Sequence, residues 1–201
     1  MTSSRTIVLA TRNHDKVIEM QEALAVLPIT LLTLDHFPNA PEVVEDGETL
    51  EANARKKALI IHQHTGMPAL ADDTGLFVEA LHDAPGVFSS RYAGEHASYQ
   101  DNVRKLLSEM KDVPAQKRGA EFRSVIAFAV DGEVRFIRGA CSGRIGFAPK
   151  GSGQFGYDPV FIAAATERTF AEMTLAEKNV VSHRGRALAA FQGFLNKLWF
   201  Q

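Results

Sequence analysis

An α/β fold with a mixed, strongly twisted sheet flanked by helices is what three features of this 201-residue sequence predict. Thr6-Ile7-Val8-Leu9-Ala10 reads as a short buried strand followed by a polar loop and a helical pattern. Further strands and helices alternate through the first half. Mid-chain, residues from Ala120 to Ile137 alternate around Asp131-Gly132, the strongest short-range signal for a hairpin and hence for an antiparallel pair. Early strand-helix units plus a hairpin give a mixed sheet, with the hairpin building a second lobe and a substrate cleft between the lobes.

Taken in order, the elements have local causes. After the first strand, Val17, Met20, Leu24 and Leu27 recur at helical spacing. A second helix is predicted from about Thr49 to His64, with Leu50, Ala54, Ala58 and Ile61 on one face and Thr65-Gly66 as its stop. Met67 to Ala71 makes the next strand; Leu76, Val78 and Ala80 suggest another, closed by a turn at Asp83-Ala84-Pro85-Gly86. Ser98 and Asp101 form a capping pair ahead of the stripe Val103, Leu106, Leu107 and Met110. Thr174 and Glu177 repeat that spacing, and Leu188, Phe191, Leu195 and Leu198 define a terminal amphipathic helix.

Length and an apolar fraction of 45% suit one domain, residues 1–201, or one domain with a small lobe. A formal charge of -2 leaves no basic excess for a nucleic-acid polymer or an anionic membrane. The single cysteine, Cys141, cannot form an internal disulfide. No cationic leader and no run near eighteen apolar residues is seen, so a cytoplasmic location is expected.

Chemistry concentrates at a few places. Ala71-Asp72-Asp73-Thr74-Gly75-Leu76 offers two carboxylates to a hard divalent cation, although a polar turn would use the same residue types. In a continuous strand Asp72 and Asp73 would face opposite sides; Asp73, at the loop end beside Thr74, is the favoured site residue, with Asp72 a second ligand or a structural acceptor. Thr11-Arg12-Asn13-His14-Asp15-Lys16 lies between strand and helix, where free N–H groups and the helix dipole suit an anion; the plainer alternative is that Asn13 or Asp15 caps the helix. Glu45 precedes the second helix, whose Asn53 and Lys57 share one face, so a carboxylate and a lysine could serve a metal and a polyphosphate, unless the segment is only a solvated acidic patch.

Gly151-Ser152-Gly153-Gln154-Phe155-Gly156 matches the glycine pattern of dinucleotide folds, but Tyr157-Asp158-Pro159 follows where a helix must open. Phe155 and Tyr157 instead suggest rings presented on a mobile loop for stacking on a base, with a core role as the alternative. Lys178, Ser182, His183 and Arg184 concentrate donors near the last helix. No nucleophile elbow, Walker A pattern or zinc spacing is present.

Together these segments resemble the inosine/xanthosine triphosphate pyrophosphatases, which clear non-standard purine nucleotides. The resemblance is carried by Thr11-x-Asn13-x-x-Lys16, Glu45 with Asn53-Ala54 and Lys57, Ala71 to Leu76, Pro85-Gly86 with Ser90-Arg91-Tyr92-Ala93-Gly94, Phe155 to Pro159, and Lys178 with Ser182 to Gly185. The sequence departs at Thr74, where members often carry Ser, and at Ser89 or Ser90, where Ala is frequent. The family implies a two-lobed α/β homodimer that uses Mg2+ and hydrolyses a purine nucleoside triphosphate to monophosphate and pyrophosphate. It further implies that Thr11 to Lys16 bind phosphate, that Asp73 is proton acceptor and metal ligand with Glu45, and that Lys57 contacts polyphosphate. Thr74, Phe155, Gly156, Tyr157, Asp158, Lys178, His183 and Arg184 would contact substrate, with Arg184, aided by His183, reading the purine 6-oxo group. A related pyrophosphatase acting on modified pyrimidines and a non-catalytic nucleotide sensor are the competing readings; the acidic residues favour an enzyme.

Overall fold

The computed structural model describes residues 5–200. Its strands are β1 (Arg5–Leu9), β2 (Ile29–Leu32), β3 (Ala69–Val78), β4 (Pro85–Gly86), β5 (Gly119–Val130), β6 (Glu133–Ile145) and β7 (Phe161–Ala163). The helices are α1 (His14–Leu24), α2 (Leu50–Thr65), α3 (Tyr99–Glu109), α4 (Leu175–Val181) and α5 (His183–Leu195). The sheet runs β2-β1-β3-β5-β6-β7, with β4 attached to β3. It is mixed as expected: β1 pairs in parallel with β2 and β3, whereas β3/β4 and β6/β7 are antiparallel.

Capping explains where the helices start. Asn13 accepts the Lys16 N–H at 3.1 Å and Thr49 accepts that of Ala52 at 3.1 Å. Ser98 with Asp101 and Thr174 with Glu177 each close a reciprocal capping box, satisfying N–H groups that a helix start leaves open. The hairpin between β5 and β6 turns on Asp131 at φ 50° and Gly132 at φ 78°, the left-handed pair that matches strand twist.

Four sequence expectations need correction. The two strands expected on either side of Asp72-Asp73 are one unbroken strand, β3, and Ala80 lies in the 3-10 turn Glu79–Leu81 that follows it. Helix α1 ends at Leu24, so Leu27 is buried from the connecting turn, and α5 ends at Leu195, leaving Leu198 47% exposed in the π-helical turn Asn196–Phe200 that follows directly. Nor does the hairpin build a second lobe by itself: it is divided between two units, and its base, residues 119–123 and 140–145, lies in the second. Its tip, Ser124–Gly139, belongs to the first of two compact units, together with the chain up to Asp73 and from Gly185 onward. The second unit is Thr74–Arg123 with Ala140–Arg184.

Each unit has its own core. In the first, Ile7, Leu9, Met20, Leu70, Ile126, Leu188 and Phe191 pack together, and Phe128 meets Phe191 edge-on with centroids 5.1 Å apart. In the second, Leu76, Val103, Leu106, Phe122, Phe161 and Phe170 do the same, with Phe122 and Phe161 centroids 4.7 Å apart. Full burial of each such side chain contributes roughly 1.5–3 kcal/mol, which anchors the strands that carry the charged residues below.

Candidate active site

Strand β3 organises the first cluster. Successive side chains of a strand point to opposite faces, and the carboxylates of Asp72 and Asp73 accordingly diverge. Asp72 is fully buried, accepts a hydrogen bond from the Ser124 hydroxyl of β5 and pairs with Lys16 Nζ at 3.0 Å. Asp73 is 4% exposed and faces α2, where Lys57 Nζ donates to its Oδ1 at 2.9 Å and Asn53 Nδ2 to its Oδ2 at 3.3 Å. Its expected place at a loop end is therefore corrected: Asp73 is in a strand interior, and its neighbours supply the polar contacts that a turn would have supplied. The same Lys57 ammonium donates to Glu45 Oε1 at 2.8 Å and to the Asp72 carbonyl at 2.9 Å. Lys16 Nζ reaches that carbonyl too, at 3.2 Å.

Burial pushes the Asp73 carboxyl above its ordinary range; Lys57 and Lys16 oppose the rise and Glu45 adds to it. Burial would also raise Glu45, but the charge and hydrogen bond of Lys57 outweigh it and hold that carboxyl below its usual value. For Lys57, burial works against the charged form, yet the charges of Asp73 and Glu45 win and its pKa is raised. Two hard carboxylate groups thus converge on one ammonium. Among the described residues no three of His, Cys, Asp and Glu gather closely enough to hold a metal by themselves. Glu45 and Asp73 fit a cation such as Mg2+, which takes one or two carboxylates and completes its shell with water and substrate phosphate.

The loop from Thr11 to Lys16 sits next to this cluster. Asn13 caps α1, as the plainer alternative held, while the Thr11 hydroxyl accepts the Asn13 N–H at 3.1 Å. Exposed Arg12 donates to the Ala40 carbonyl at 2.8 Å, His14 is exposed at the first position of α1, and Asp15 occupies its first turn. The segment places the N-terminus of α1 beside Lys16 in its first turn, an arrangement that suits an anion.

The second cluster lies in the second unit. Phe155 is half-buried, with Lys178 Nζ 4.9 Å and the Arg184 guanidinium carbon 5.5 Å from its ring centre. Lys178 is bonded to the buried Asp158 carboxylate, and Arg184 Nη2 donates to the Thr74 hydroxyl at 3.1 Å. Next to Thr74, Gly75 is required by close approach: a Cβ there would meet the Gly86 carbonyl oxygen at 2.5 Å. Gly156, at φ 55°, turns the chain after Phe155. No helix opens behind residues 151–156, in keeping with the rejected dinucleotide pattern. Of the two readings of Tyr157 the core one holds, since the ring is 4% exposed within the core and its hydroxyl donates to the Ser89 carbonyl at 2.9 Å. His183 is also enclosed, stacked on Phe122 at 4.5 Å between centroids.

Sequence reasoning missed three supports. Ser124 is the hydroxyl that opens the apolar run of β5, and that position is a signal for an inward polar partner. Ser89 accepts the Leu76 N–H at 2.8 Å and donates to the Gly86 carbonyl at 2.6 Å, bracing β3 just beyond Thr74. Asn102 fixes the segment after Ser89 by accepting the Ala93 N–H at 2.8 Å and donating to the Ser90 carbonyl at 3.0 Å. Neither carried a local motif.

A carboxylate–lysine cluster beside a helix N-terminus, and a ring flanked by cations, define an α/β protein equipped for a polyanion and for a flat aromatic group. The chain belongs to the Ham1 family, which it matches over residues 7–194. It is 50% identical over 190 residues to a dITP/XTP pyrophosphatase of Geobacter sulfurreducens, covering 94% of this chain and 96% of that protein. With a dITP/XTP pyrophosphatase of Lactiplantibacillus plantarum it shares 44% identity over 200 residues, covering 99% and 98%. The structure of a HAM1 protein from Coxiella burnetii superposes with a TM-score of 0.87 at 40% identity, covering 96% of this chain and 99% of that one.

Proposed function

We propose that this protein hydrolyses non-standard purine nucleoside triphosphates, the deoxyinosine and xanthosine forms among them, to the monophosphate and pyrophosphate. Supporting it are the names of its relatives and, in the structure, one observation above others: a buried lysine that gathers Glu45, Asp73 and the Asp72 carbonyl at hydrogen-bond distance. Both units act as a single nucleotide-hydrolysing domain, since the family match runs through both.

Thr11, Asn13 and Lys16, with the N–H groups of the Arg12-His14-Asp15 turn, bind phosphate oxygens. Lys57 orients Asp73 and Glu45 and contributes positive charge to the polyphosphate. Glu45 and Asp73 would hold Mg2+, which would supply charge neutralisation at the phosphate oxygens. Asp73 takes the proton of the attacking water, whose oxygen bonds to the α-phosphorus as the bond to the bridging oxygen breaks and pyrophosphate departs with the electron pair. Its raised pKa suits a general base, because proton affinity nearer the working pH favours transfer.

Phe155 is a stacking platform for the base, and Lys178 with Asp158 fixes its surroundings. Gly156 and Tyr157 shape the loop that carries it. Arg184, oriented by Thr74 and flanked by His183, donates to the purine 6-oxo group, which adenine replaces with a donor. A homodimer is the assembly this family resemblance supports, and sedimentation measures it. A cytoplasmic location is consistent with a lone buried thiol at Cys141. Separately, no helix among the described residues is long and apolar enough to cross a membrane.

Product analysis with dITP, xanthosine triphosphate and a modified pyrimidine triphosphate, each with magnesium chloride, tests the proposal. Monophosphate and pyrophosphate from the purines are expected. Orthophosphate and diphosphate, or turnover of the pyrimidine alone, would overturn it.

A further inference from the structure

The glycine-rich loop that carries Phe155 is anchored from two sides. On one, the N–H groups of Ser152 and Gly153 donate to the Ala171 carbonyl at 3.1 and 3.2 Å, and Lys150 N–H donates to the Pro159 carbonyl at 2.8 Å. These bonds fix the loop's backbone but not the direction of the Phe155 ring. That ring is met from the other side by Tyr99, with centroids 5.6 Å apart and planes 70° apart. Next along the chain, the Gln100 side chain donates to Gln154 Oε1 at 3.0 Å. Both residues begin α3, whose start is rigidly capped by Ser98 and Asp101.

We propose that Tyr99 and Gln100 are positioning residues, which hold Phe155 in the orientation that receives the base. The proposal rests on the reading of Phe155 as a base platform. Its logic is one of prepaid order: residues 151–154 are exposed, so an unrestrained ring would lose side-chain freedom on binding, at a cost drawn from affinity. A perpendicular aromatic contact from a capped helix start removes that freedom beforehand. Such contacts recognise no base atom, so they affect how tightly nucleotide is held rather than the speed of hydrolysis.

The test is a double-mutant cycle between Tyr99→Ala and Phe155→Ala, assayed with dITP and magnesium chloride. Phe155→Ala alone is expected to raise KM by about 5- to 150-fold, the loss of one stacked base. Tyr99→Ala is expected to raise KM by about 3- to 10-fold with kcat kept within about twofold, the scale of one aromatic pair. In the Phe155→Ala background the Tyr99 change should add nothing. Tyr99→Phe should restore the wild-type KM, and Gln154→Ala should raise it by about twofold to threefold, the scale of one exposed neutral hydrogen bond. If Phe155→Ala raises KM while Tyr99→Ala does not, or if the two effects multiply, the positioning role fails and the platform stands. Should Phe155→Ala leave KM unchanged, the platform reading itself is wrong.

Discussion

Replacing Lys57 by Met would remove the ammonium that pairs with the buried Asp73 and the half-buried Glu45 while keeping a chain of similar length. Lys57 is 6% exposed and makes three hydrogen bonds, at 2.8, 2.9 and 2.9 Å, to Glu45, Asp73 and the Asp72 carbonyl. Deleting one partner of a buried ion pair leaves an uncompensated charge and costs about 3–5 kcal/mol. For a domain of this size each kcal/mol is worth roughly 2–4 °C, so the melting temperature should fall by about 6–20 °C. The loss should also depend on pH. In the wild type Glu45 sits below its ordinary 4.5, and its stabilisation is present above that pH and lost as pH falls. Without Lys57 the larger of the two positive charges opposing burial is gone, only that of Lys16 remains, and both carboxyls shift upward from their wild-type positions. Because both titrate higher than in the wild type, the variant gives up more stability than the wild type as pH rises through the carboxylate range. The gap between the two proteins should therefore be wider near pH 8 than near pH 4. Circular-dichroism melts in chelator, with wild type and variant side by side, measure it. A fall of under about 2 °C, or a gap that does not change with pH, would show that Lys57 is solvated and that the cluster does not hold together as described.

Asp73→Asn keeps one acceptor oxygen for Lys57, sets its Nδ2 against the donating Nδ2 of Asn53 and removes the proposed base; turnover of dITP should fall about a hundredfold or more with a cooperative melt retained. Near-wild-type turnover in a folded variant would make Asp73 a structural residue only. Arg184→Ala should lower the preference for inosine over adenosine triphosphate, chiefly by slowing the former; an unchanged ratio of kcat/KM would leave Arg184 a phosphate or packing residue. Glu177 caps α4 by accepting the Thr174 N–H at 2.8 Å, and Arg168 donates to it at 2.8 Å, so its pKa is pulled down from 4.5 to about 2. The stability this carries is complete above 4.5 and lost as pH falls toward about 2, and Glu177→Gln should make the acid limb of the melting curve shallower over that window.

What could be read from the chain was what is locally encoded. The Asp131-Gly132 hairpin, the caps at Ser98 and Thr174, and the placing of Asn53 and Lys57 on one helix face all depend on residues within a few positions of one another, and all are present. Asp72 to Gly75 misled because Asp, Thr and Gly favour turns; a hydroxyl from Ser124 and an ammonium from Lys16, 52 and 56 residues away, make a buried strand tolerable for Asp72. Tyr157 was ambiguous for the same reason, its hydroxyl being satisfied by the carbonyl of Ser89, 68 residues distant. The convergence of Lys16 and Lys57 on one carbonyl had no signature in spacing at all.

The unbroken course of β3 turns the difference between Asp72 and Asp73 into one of parity. With Val8 beside Ala69 and Leu9 beside Leu70, each later residue is assigned to a face by whether it is an odd or even number of steps along. Leu70 and Ala71 could exchange for other apolar residues without altering that assignment. A deletion between Ala69 and Asp72 would bring Asp73 to the place facing Ser124 and Lys16, and an insertion would bring Asp72 to the place facing Asn53 and Lys57. This stretch should consequently accept changes of identity far more readily than any change of length.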